Sequence, residues 1–210
     1  ELAIVYTNGP GETQQAVISG SVDLGVAAGV MGVFSAFAKG APVRVIGAET
    51  TGAGDLYWYV KADSAIKSLK DTDGKIIAYS THGSSTHGVV KAFMEEYKLT
   101  AKPTAMGGPA ANITAVMSGQ IDVGWAAPPF GLDQLDAKQI RIIAPGNDAS
   151  AFKGQTVRLN IANANSLKDP TDILARSMKA YRAPVNYIDT HPNRPEVHVD
   201  RVQATDTPAA

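Results

Sequence analysis

The first fifty residues alternate between two hydrophobic patterns. Short runs rich in β-branched and aromatic residues predict strands. Longer stretches of helix-forming residues predict helices, and clusters of glycine and proline separate them. The predicted elements are a strand at Leu2–Tyr6, a helix at Glu12–Ser19, a strand at Val22–Ala28, a helix at Gly29–Ala38 and a strand at Val43–Ala48. This order favours an α/β layer with a parallel sheet.

Further elements are predicted along the rest of the chain. An aromatic strand is expected at Leu56–Val60, with further strands at Lys75–Tyr79, Ile140–Ala144 and Thr156–Ile161, and helices at His87–Tyr97 and Asp169–Tyr181. Asp169 is the expected cap of the last helix, and Pro184 lies just beyond its expected end. From Asp189 onward the pattern dissolves, which predicts coil or a loosely attached tail.

An internal repeat is the most informative feature of the sequence. Ala16–Gly29 has the sequence AVISGSVDLGVAAG, and Ala115–Pro128 has the sequence AVMSGQIDVGWAAP. Eight positions are identical, and most of the others keep their apolar character. Each copy follows a glycine-rich loop. We therefore expect the same helix–turn–strand unit twice, once in each of two lobes, with Gly20 and Gly119 at the helix ends.

Composition excludes several classes of function. The 210 residues carry 19 Lys and Arg against 20 Asp and Glu, a net charge of −1 without a basic block, so a charged nucleic-acid or membrane surface is not expected. The absence of cysteine excludes thiol nucleophiles, Cys-based zinc sites, iron–sulfur ligation and disulfides. The most apolar stretch, Leu24–Ala38, is too short to span a bilayer. We expect no cofactor and no direct membrane insertion.

The loop Gly83–Thr86 is the strongest candidate binding site. It follows a predicted strand and opens a predicted helix, so its backbone N–H groups and hydroxyls face the end of the helix that favours negative charge. An ordinary Ser or Thr helix cap would explain the same residues. The loop is not a P-loop, because the Gly-Lys-Ser/Thr ending is absent.

Other candidate residues favour structural roles or remain open. His82 and His87 flank the loop, but their spacing does not suit a metal site. A Ser84 or Ser85 nucleophile beside a histidine is not favoured either, because the sequence has no G-x-S-x-G elbow and no candidate acid. Asp23 and Asp122 occupy equivalent positions before a strand, where a carboxylate shapes the turn. Core packing and ligand contact explain Trp125 equally well, whereas Arg158 favours a salt-bridged structural role.

Several separate motifs resemble one family of transport proteins. The segments GETQQAVISGSVDLGVAAG, GAPVRVIGAET, SAIKSLKDTDGKIIAYSTHGSSTH and QIDVGWAAPPF are similar, in that order, to the ABC-transporter periplasmic solute-binding proteins of the nitrate/sulfonate/taurine group. The resemblance covers Leu2 to Tyr187. It implies a bilobal periplasmic-binding-protein-like fold, type II-like, with two α/β lobes joined by two crossings. Residues 1–63 and 156–210 would form one discontinuous, incomplete lobe, and residues 64–155 the other.

The resemblance also implies a function. The protein would be the solute-binding component of an ABC uptake transporter, capturing a small anionic or polar organic ligand, such as a sulfonate, nitrate or taurine, between its lobes. Ligand contacts are expected from Asn8, Gly29, Tyr57, Gly83, Ser84, Ser85, Thr86, Trp125 and Pro128. The expected partners are this ligand and a membrane ABC permease. A monomeric, periplasmic, non-enzymatic protein is expected, with no metal and no nucleic acid.

Three expectations stay open at this point. The family begins with a further strand and helix and continues past the segment that matches Tyr187, so the chain is expected to be incomplete at both ends. A thiamine-pyrimidine-precursor binding protein, or a related enzyme on the same scaffold, is one alternative. That enzyme branch would require a cysteine-rich segment. An effector-sensing domain is another alternative, and it would require a DNA-binding segment, which is not seen.

Overall fold

A computed structural model describes residues 3–168 and 172–190. The chain divides into two compact units, residues 1–166 and residues 167–210. The helices are α1 Pro10–Ser19, α2 Val30–Ala38, α3 Ser85–Glu96, α4 Pro109–Met117, α5 Leu132–Asp136 and α6 Asp172–Thr190. The strands are β1 Leu24–Gly29, β2 Val43–Thr51, β3 Tyr57–Lys61, β4 Ile76–Tyr79, β5 Lys102–Ala105, β6 Gly124–Ala126, β7 Ile140–Pro145 and β8 Thr156–Asn163.

The smaller sheet contains β1, β8 and β2 in that order. Both outer strands pair antiparallel with β8. The prediction of a purely parallel sheet is wrong here, because β8 returns from far along the chain and inserts between two strands that would otherwise be parallel neighbours. Helices α1 and α2 pack against this sheet, and a small core forms around Val17, Val33 and Ile161.

The larger sheet is built around the second copy of the repeat. Strand β3 pairs antiparallel with β6 and β7, and β4 pairs parallel with β5. A parallel bridge between Ile77 and Val123 joins these two groups of strands. Helix α3 connects β4 to β5, and α4 connects β5 to β6. This region holds the larger core, which includes Trp58, Phe93 and Val116.

The two copies of the repeat have the same local structure, as expected. Helix α1 leads through Gly20 to β1, and α4 leads through Gly119 to β6. The two glycines have nearly the same left-handed backbone, with φ angles of 78° and 77°. Strands β1 and β6 lie in different sheets. The predicted division into lobes at residues 63 and 156 stays a prediction.

Two predicted elements differ from the structure. Residues 3–7 form no strand, and Tyr6 is 87% exposed, because no described strand lies beside this segment to pair with it. Helix α6 continues to Thr190 with Pro184 inside it, past the predicted end at Tyr181. The tail predicted from Asp189 does not begin there, because Asp189 and Thr190 still belong to α6. The predicted cap at Asp169 and residues 191–210 lie outside the described residues.

Candidate functional site

The loop that follows β4 lies at the point in the larger sheet where the chain connections change from one side to the other. From β4 the chain crosses through α3 to β5 on one side, whereas from β6 it continues through α5 to β7 on the other side. In open α/β sheets, ligands bind beyond the carboxyl ends of strands at such a point. The loop at residues 80–84 and the segment at residues 127–131 follow β4 and β6 there. The topology therefore places the predicted binding loop where a ligand site is expected.

A network of hydroxyl groups holds this loop in shape. The Thr86 hydroxyl accepts a hydrogen bond from the Ser80 N–H at 2.9 Å and also lies 2.9 Å from the hydroxyls of Ser80 and Ser84. The Ser84 hydroxyl caps α3, because it accepts a hydrogen bond from the His87 N–H at 3.1 Å. The capping role that sequence alone left open therefore belongs to Ser84. The hydroxyls of Ser84 and Thr86 are already committed to the loop itself.

Ser85 differs from its two neighbours. It is the first residue of α3 and is 3% exposed, and its hydroxyl forms no hydrogen bond with any described residue. The backbone N–H groups of Ser85 and Thr86 likewise reach no acceptor among the described residues. The first N–H groups of a helix need acceptors from outside the helix. One free hydroxyl and two free N–H groups can therefore receive oxygen atoms of a ligand.

The beginnings of four helices gather around the loop. At the start of α1, the Gly11 N–H donates to the Thr81 hydroxyl at 3.1 Å. At the start of α2, the Gly32 N–H donates to the Gly83 carbonyl at 2.9 Å. Before α4, the Gly107 N–H donates to the Ser80 carbonyl at 3.0 Å. Because each helix begins with a partial positive charge, four such ends together favour a negative charge at this place.

Gly29 allows α2 to approach this closely. A Cβ atom at Gly29 would lie 2.7 Å from the Gly83 carbonyl oxygen and 2.7 Å from the Cα atom of Ser84, so any larger residue would push α2 away from α3. Gly83 itself has a φ angle of 79°, which an L side chain rarely adopts. Both predicted site glycines are thus required by the backbone geometry. Neither offers a side chain to a ligand.

The other predicted site residues occupy different environments. Trp125 is 7% exposed, and its indole N–H is buried without an acceptor among the described residues. Tyr57 is buried in β3, donates its hydroxyl hydrogen to the Phe130 carbonyl and has a pKa raised by burial. Asn8 is exposed and binds the Glu12 carboxylate through its backbone and side-chain nitrogens at 2.7 and 3.1 Å. Pro128 is exposed at the carboxyl end of β6.

Tyr79, His82 and His87 form an aromatic cluster behind the loop. The rings of Tyr79 and His87 are stacked with centroids 4.5 Å apart, and the His82 ring lies 5.3 Å from that of His87. The Gly83 N–H donates to His87 Nδ1 at 3.1 Å. Burial lowers the pKa of His87, and the nearby His82 and Lys91 lower it further. Among the described residues, no group of three or more potential ligands could hold a metal ion.

The structural roles expected for Asp122 and Arg158 are confirmed. Asp122 accepts a hydrogen bond from the Ile76 N–H at 2.9 Å and lies 3.7 Å from the Lys75 amine. Arg158 forms a 2.6 Å ion pair with Asp55. Asp23 lies at the equivalent turn of the first copy, but it contributes its backbone carbonyl, which accepts a hydrogen bond from the Asn163 N–H at 3.0 Å, so the role expected for its carboxylate stays a prediction.

Sequence reasoning missed two contributors to the site. Fully buried Asn112 donates to the carbonyls of Gly107 and Gly108 at 3.2 and 2.9 Å, and its side-chain oxygen lies 3.5 Å from the backbone nitrogen of Trp125. Asn112 occupies the position in the second copy of the repeat that Thr13 occupies in the first copy. This difference between the two copies was the sequence feature that could have pointed to Asn112. The contact of Gly32 with Gly83 left no signal in the sequence, because the two residues belong to elements far apart along the chain.

Comparison with known proteins assigns the family. Residues 1–194 match the family described as "NMT1/THI5 like". The chain belongs to this family. No curated protein sequence matches the chain. Within the described residues, no helix combines the length and apolar character needed to cross a membrane.

Solved structures confirm the fold expected from the resemblance. The alkanesulfonate-binding protein SsuA from Xanthomonas axonopodis pv. citri, solved with MOPS bound, is 22% identical with a TM-score of 0.77 over 97% of this chain and 68% of that one. The periplasmic aliphatic sulphonate binding protein SsuA from Escherichia coli is 20% identical with a TM-score of 0.72 over 93% and 62%. A Candida albicans protein with the generic periplasmic binding protein fold is 11% identical with a TM-score of 0.74 over 99% and 66%. The chain thus spans about two thirds of these proteins.

Proposed function

We propose that this chain is the solute-binding component of an ABC uptake transporter that captures a small organic anion, with a sulfonate as the favoured class. The observation that carries the proposal is the gathering of four helix starts around a loop that keeps one hydroxyl and two N–H groups free. Oxygen atoms of an anion would accept these hydrogen bonds, and bonds to a charged partner are stronger than neutral ones. Membership of the NMT1/THI5-like family and the fold shared with sulfonate-binding proteins support this function.

The remaining parts of the proposal extend the expectations drawn from the resemblance in sequence. The protein would act in the periplasm as a monomer and deliver its ligand to a membrane permease. It would bind its ligand without turning it over. Residues 1–63 with 156–210, and residues 64–155, would form the two lobes that close on the ligand. The loop Gly83–Thr86 would lie on one side of the cleft and Asn8 and Gly29 on the other, where the starts of α1 and α2 already contact the loop.

Within this site, Ser85 is the residue proposed to bind the ligand through its side chain. The hydroxyls of Ser84 and Thr86 are engaged in the loop, so their loss would affect the loop first. Trp125 would contribute its unpaired indole N–H as a further donor. Gly83 would contribute only its backbone conformation. Tyr57, Asn8 and Pro128 would border the site, since their polar groups are engaged or their side chains lie at the surface.

Calorimetric titration of the full chain tests the proposal. The probes are taurine, butanesulfonate, nitrate and an aminopyrimidine, the last representing the alternative ligand class. At least one sulfonate should bind, and Ser85→Ala should weaken this binding tenfold or more, because the lost bond to a charged oxygen contributes about 1.5 to 3 kcal/mol.

Ser84→Ala is the matched control. It removes the cap of α3, so the free energy of unfolding should fall by about 1 kcal/mol while affinity changes by less than the Ser85 variant shows. A panel in which only the aminopyrimidine binds would replace the sulfonate assignment with the heterocycle. Sulfonate binding that is unchanged by Ser85→Ala would exclude the proposed site.

A further inference from the structure

The backbone of Gly83 is held from two sides by non-adjacent residues. Its N–H donates to His87 Nδ1 at 3.1 Å, and its carbonyl accepts from the Gly32 N–H at 2.9 Å. Gly32 lies in the first turn of α2, and His87 lies in the first turn of α3. Gly83 therefore links the start of α2 to α3 through one hydrogen bond on each side of a single residue.

The bond to His87 requires one protonation state of the ring. A backbone N–H can donate only to a ring nitrogen that carries no hydrogen, so Nδ1 is unprotonated and the hydrogen of the neutral ring lies on Nε2. Protonation of the ring would place a hydrogen on Nδ1 as well. Two donors would then face each other, and the bond from Gly83 would be lost.

The surroundings of His87 favour the neutral ring at neutral pH. Burial, His82 and Lys91 each lower its pKa. The uncharged ring of Tyr79 stacks on it from β4, and α2 and the short helix Ser150–Phe152, which also pack on α3, contain no charged residue. Strand β3 packs on α3 through Trp58 and Phe93, and its charged residue, Lys61, is a cation. The acidic residues of α3, Glu95 and Glu96, lie at its opposite end, where Glu96 accepts hydrogen bonds from the N–H groups of Ser150 and Ala151. The pKa of His87 is therefore lower than that of an ordinary histidine, mainly because the ring is buried.

We propose that His87 is a positioning residue whose neutral ring holds the anion-binding loop, and that its protonation releases Gly83 and opens the site. This proposal rests on the proposed function only for the identity of the ligand that leaves the opened site. The sign of the pH effect follows from the lowered pKa. The neutral ring and its hydrogen bond are fully present above about pH 6.5, and the stability they contribute is lost as the pH falls through the pKa of the folded state.

The first measurement needs no ligand. Amide exchange of Gly83 in the full chain, followed by NMR from pH 8 to pH 4.5 and corrected for intrinsic exchange, should lose at least tenfold protection as the His87 ring titrates. His87→Asn offers an acceptor oxygen near the position of Nδ1 but does not titrate, so protection should persist across the range. His87→Phe keeps an aromatic ring to stack on Tyr79 but has no acceptor, so protection should be low at every pH.

A change at His82 serves as the control for the second histidine. His82→Asn removes the ring whose electrostatic interaction lowers the pKa of His87, so the transition should remain and move to higher pH. If the transition disappears in His82→Asn, or persists in His87→Asn, the assignment to His87 is wrong. Gly83 protection that does not change between pH 8 and pH 4.5 in the unaltered chain would overturn it as well.

The second measurement tests whether protonation of His87 lowers the affinity of the site for a ligand. Affinity for butanesulfonate should fall tenfold or more from pH 7.5 to pH 5 in the unaltered chain and stay constant in His87→Asn. Equal affinity at both pH values would overturn the release of ligand. If no sulfonate binds at any pH, the proposed function fails, and the exchange of Gly83 still decides the role of His87.

Discussion

The units α1–β1 and α4–β6 end their helices with the same hydrogen bonds. The N–H groups of Ser21 and Gln120 reach the carbonyls of Ala16 and Ala115 at 3.0 and 2.9 Å, respectively. In each strand, a glycine leaves room for a valine of the helix. A Cβ at Gly25 would lie 2.8 Å from Val17 Cγ2, and a Cβ at Gly124 would lie 2.7 Å from Val116 Cγ2.

The surroundings of the two units differ much more than their local structure. Val26 in β1 is 50% exposed, whereas its counterpart Trp125 in β6 is 7% exposed within the larger core. Strand β1 pairs with β8 on one side, whereas the second unit contacts both β3 and β4. The comparison shows that one sequence pattern can specify a unit, while its neighbours decide whether that unit forms a surface or a core.

The largest expected difference concerns Trp125 and Val26. Trp125→Ala should lower the free energy of unfolding by about 3 to 5 kcal/mol, because a large side chain leaves a cavity in the larger core. Val26→Ala removes a half-exposed side chain and should cost less than about 1 kcal/mol. Urea unfolding of both variants without ligand measures the difference. Similar losses would mean that the two surroundings do not differ in the way described.

A smaller difference is expected between Asn112 and Thr13. Asn112→Ala removes the partners of two carbonyl groups next to α4, so the loss should be about 2 to 3 kcal/mol. Thr13→Ala removes a hydroxyl that bonds Thr7 at 2.6 Å in a partly buried position, and should cost about 1 kcal/mol. The same unfolding measurement ranks the two. A greater loss of unfolding free energy in Thr13→Ala would contradict the conclusion that the second unit is more deeply buried than the first.

The smallest effect should be equal in both units. Gly20→Ala and Gly119→Ala place a side chain on the same left-handed backbone, at a cost of about 1 kcal/mol each. No atom lies within 3.4 Å of either added Cβ, so steric contact adds no difference. Melting curves should show matching shifts. A gap larger than about 1 kcal/mol between the variants would show that the turns are not equivalent.

The candidate site shows how far sequence reasoning reached. The loop Gly83–Thr86 and its place between a strand and a helix could be predicted, because each signal lies within a few adjacent residues. The division of roles among its hydroxyls could not. Ser84 caps α3 and Thr86 binds Ser80, which leaves Ser85 free, and these differences depend on side-chain geometry that three similar residues do not reveal.

The segment at residues 3–6 shows that local sequence was also insufficient to predict one element of the fold. It occupies the position before α1 that β5 occupies before α4, and its β-branched and aromatic residues predict a strand. Strand β5 forms because β4 lies beside it. Among the described residues, no strand lies beside residues 3–6 in the same way, and the segment forms no helix or strand and is exposed. Strand propensity becomes a strand only when a partner supplies the hydrogen bonds.

By itself, the sequence determined the helices and most strands, the repeat, the two equivalent turns and the candidate loop between β4 and α3. These features depend on hydrophobic period, on glycine in a left-handed turn and on capping, all of which act between residues close along the chain. The tertiary structure alone decided that β8 separates β1 from β2, that Asn112 supports the site and that His87 and Gly32 hold Gly83. These contacts join residues distant in sequence, and only the packing of the whole fold brings their donors and acceptors together.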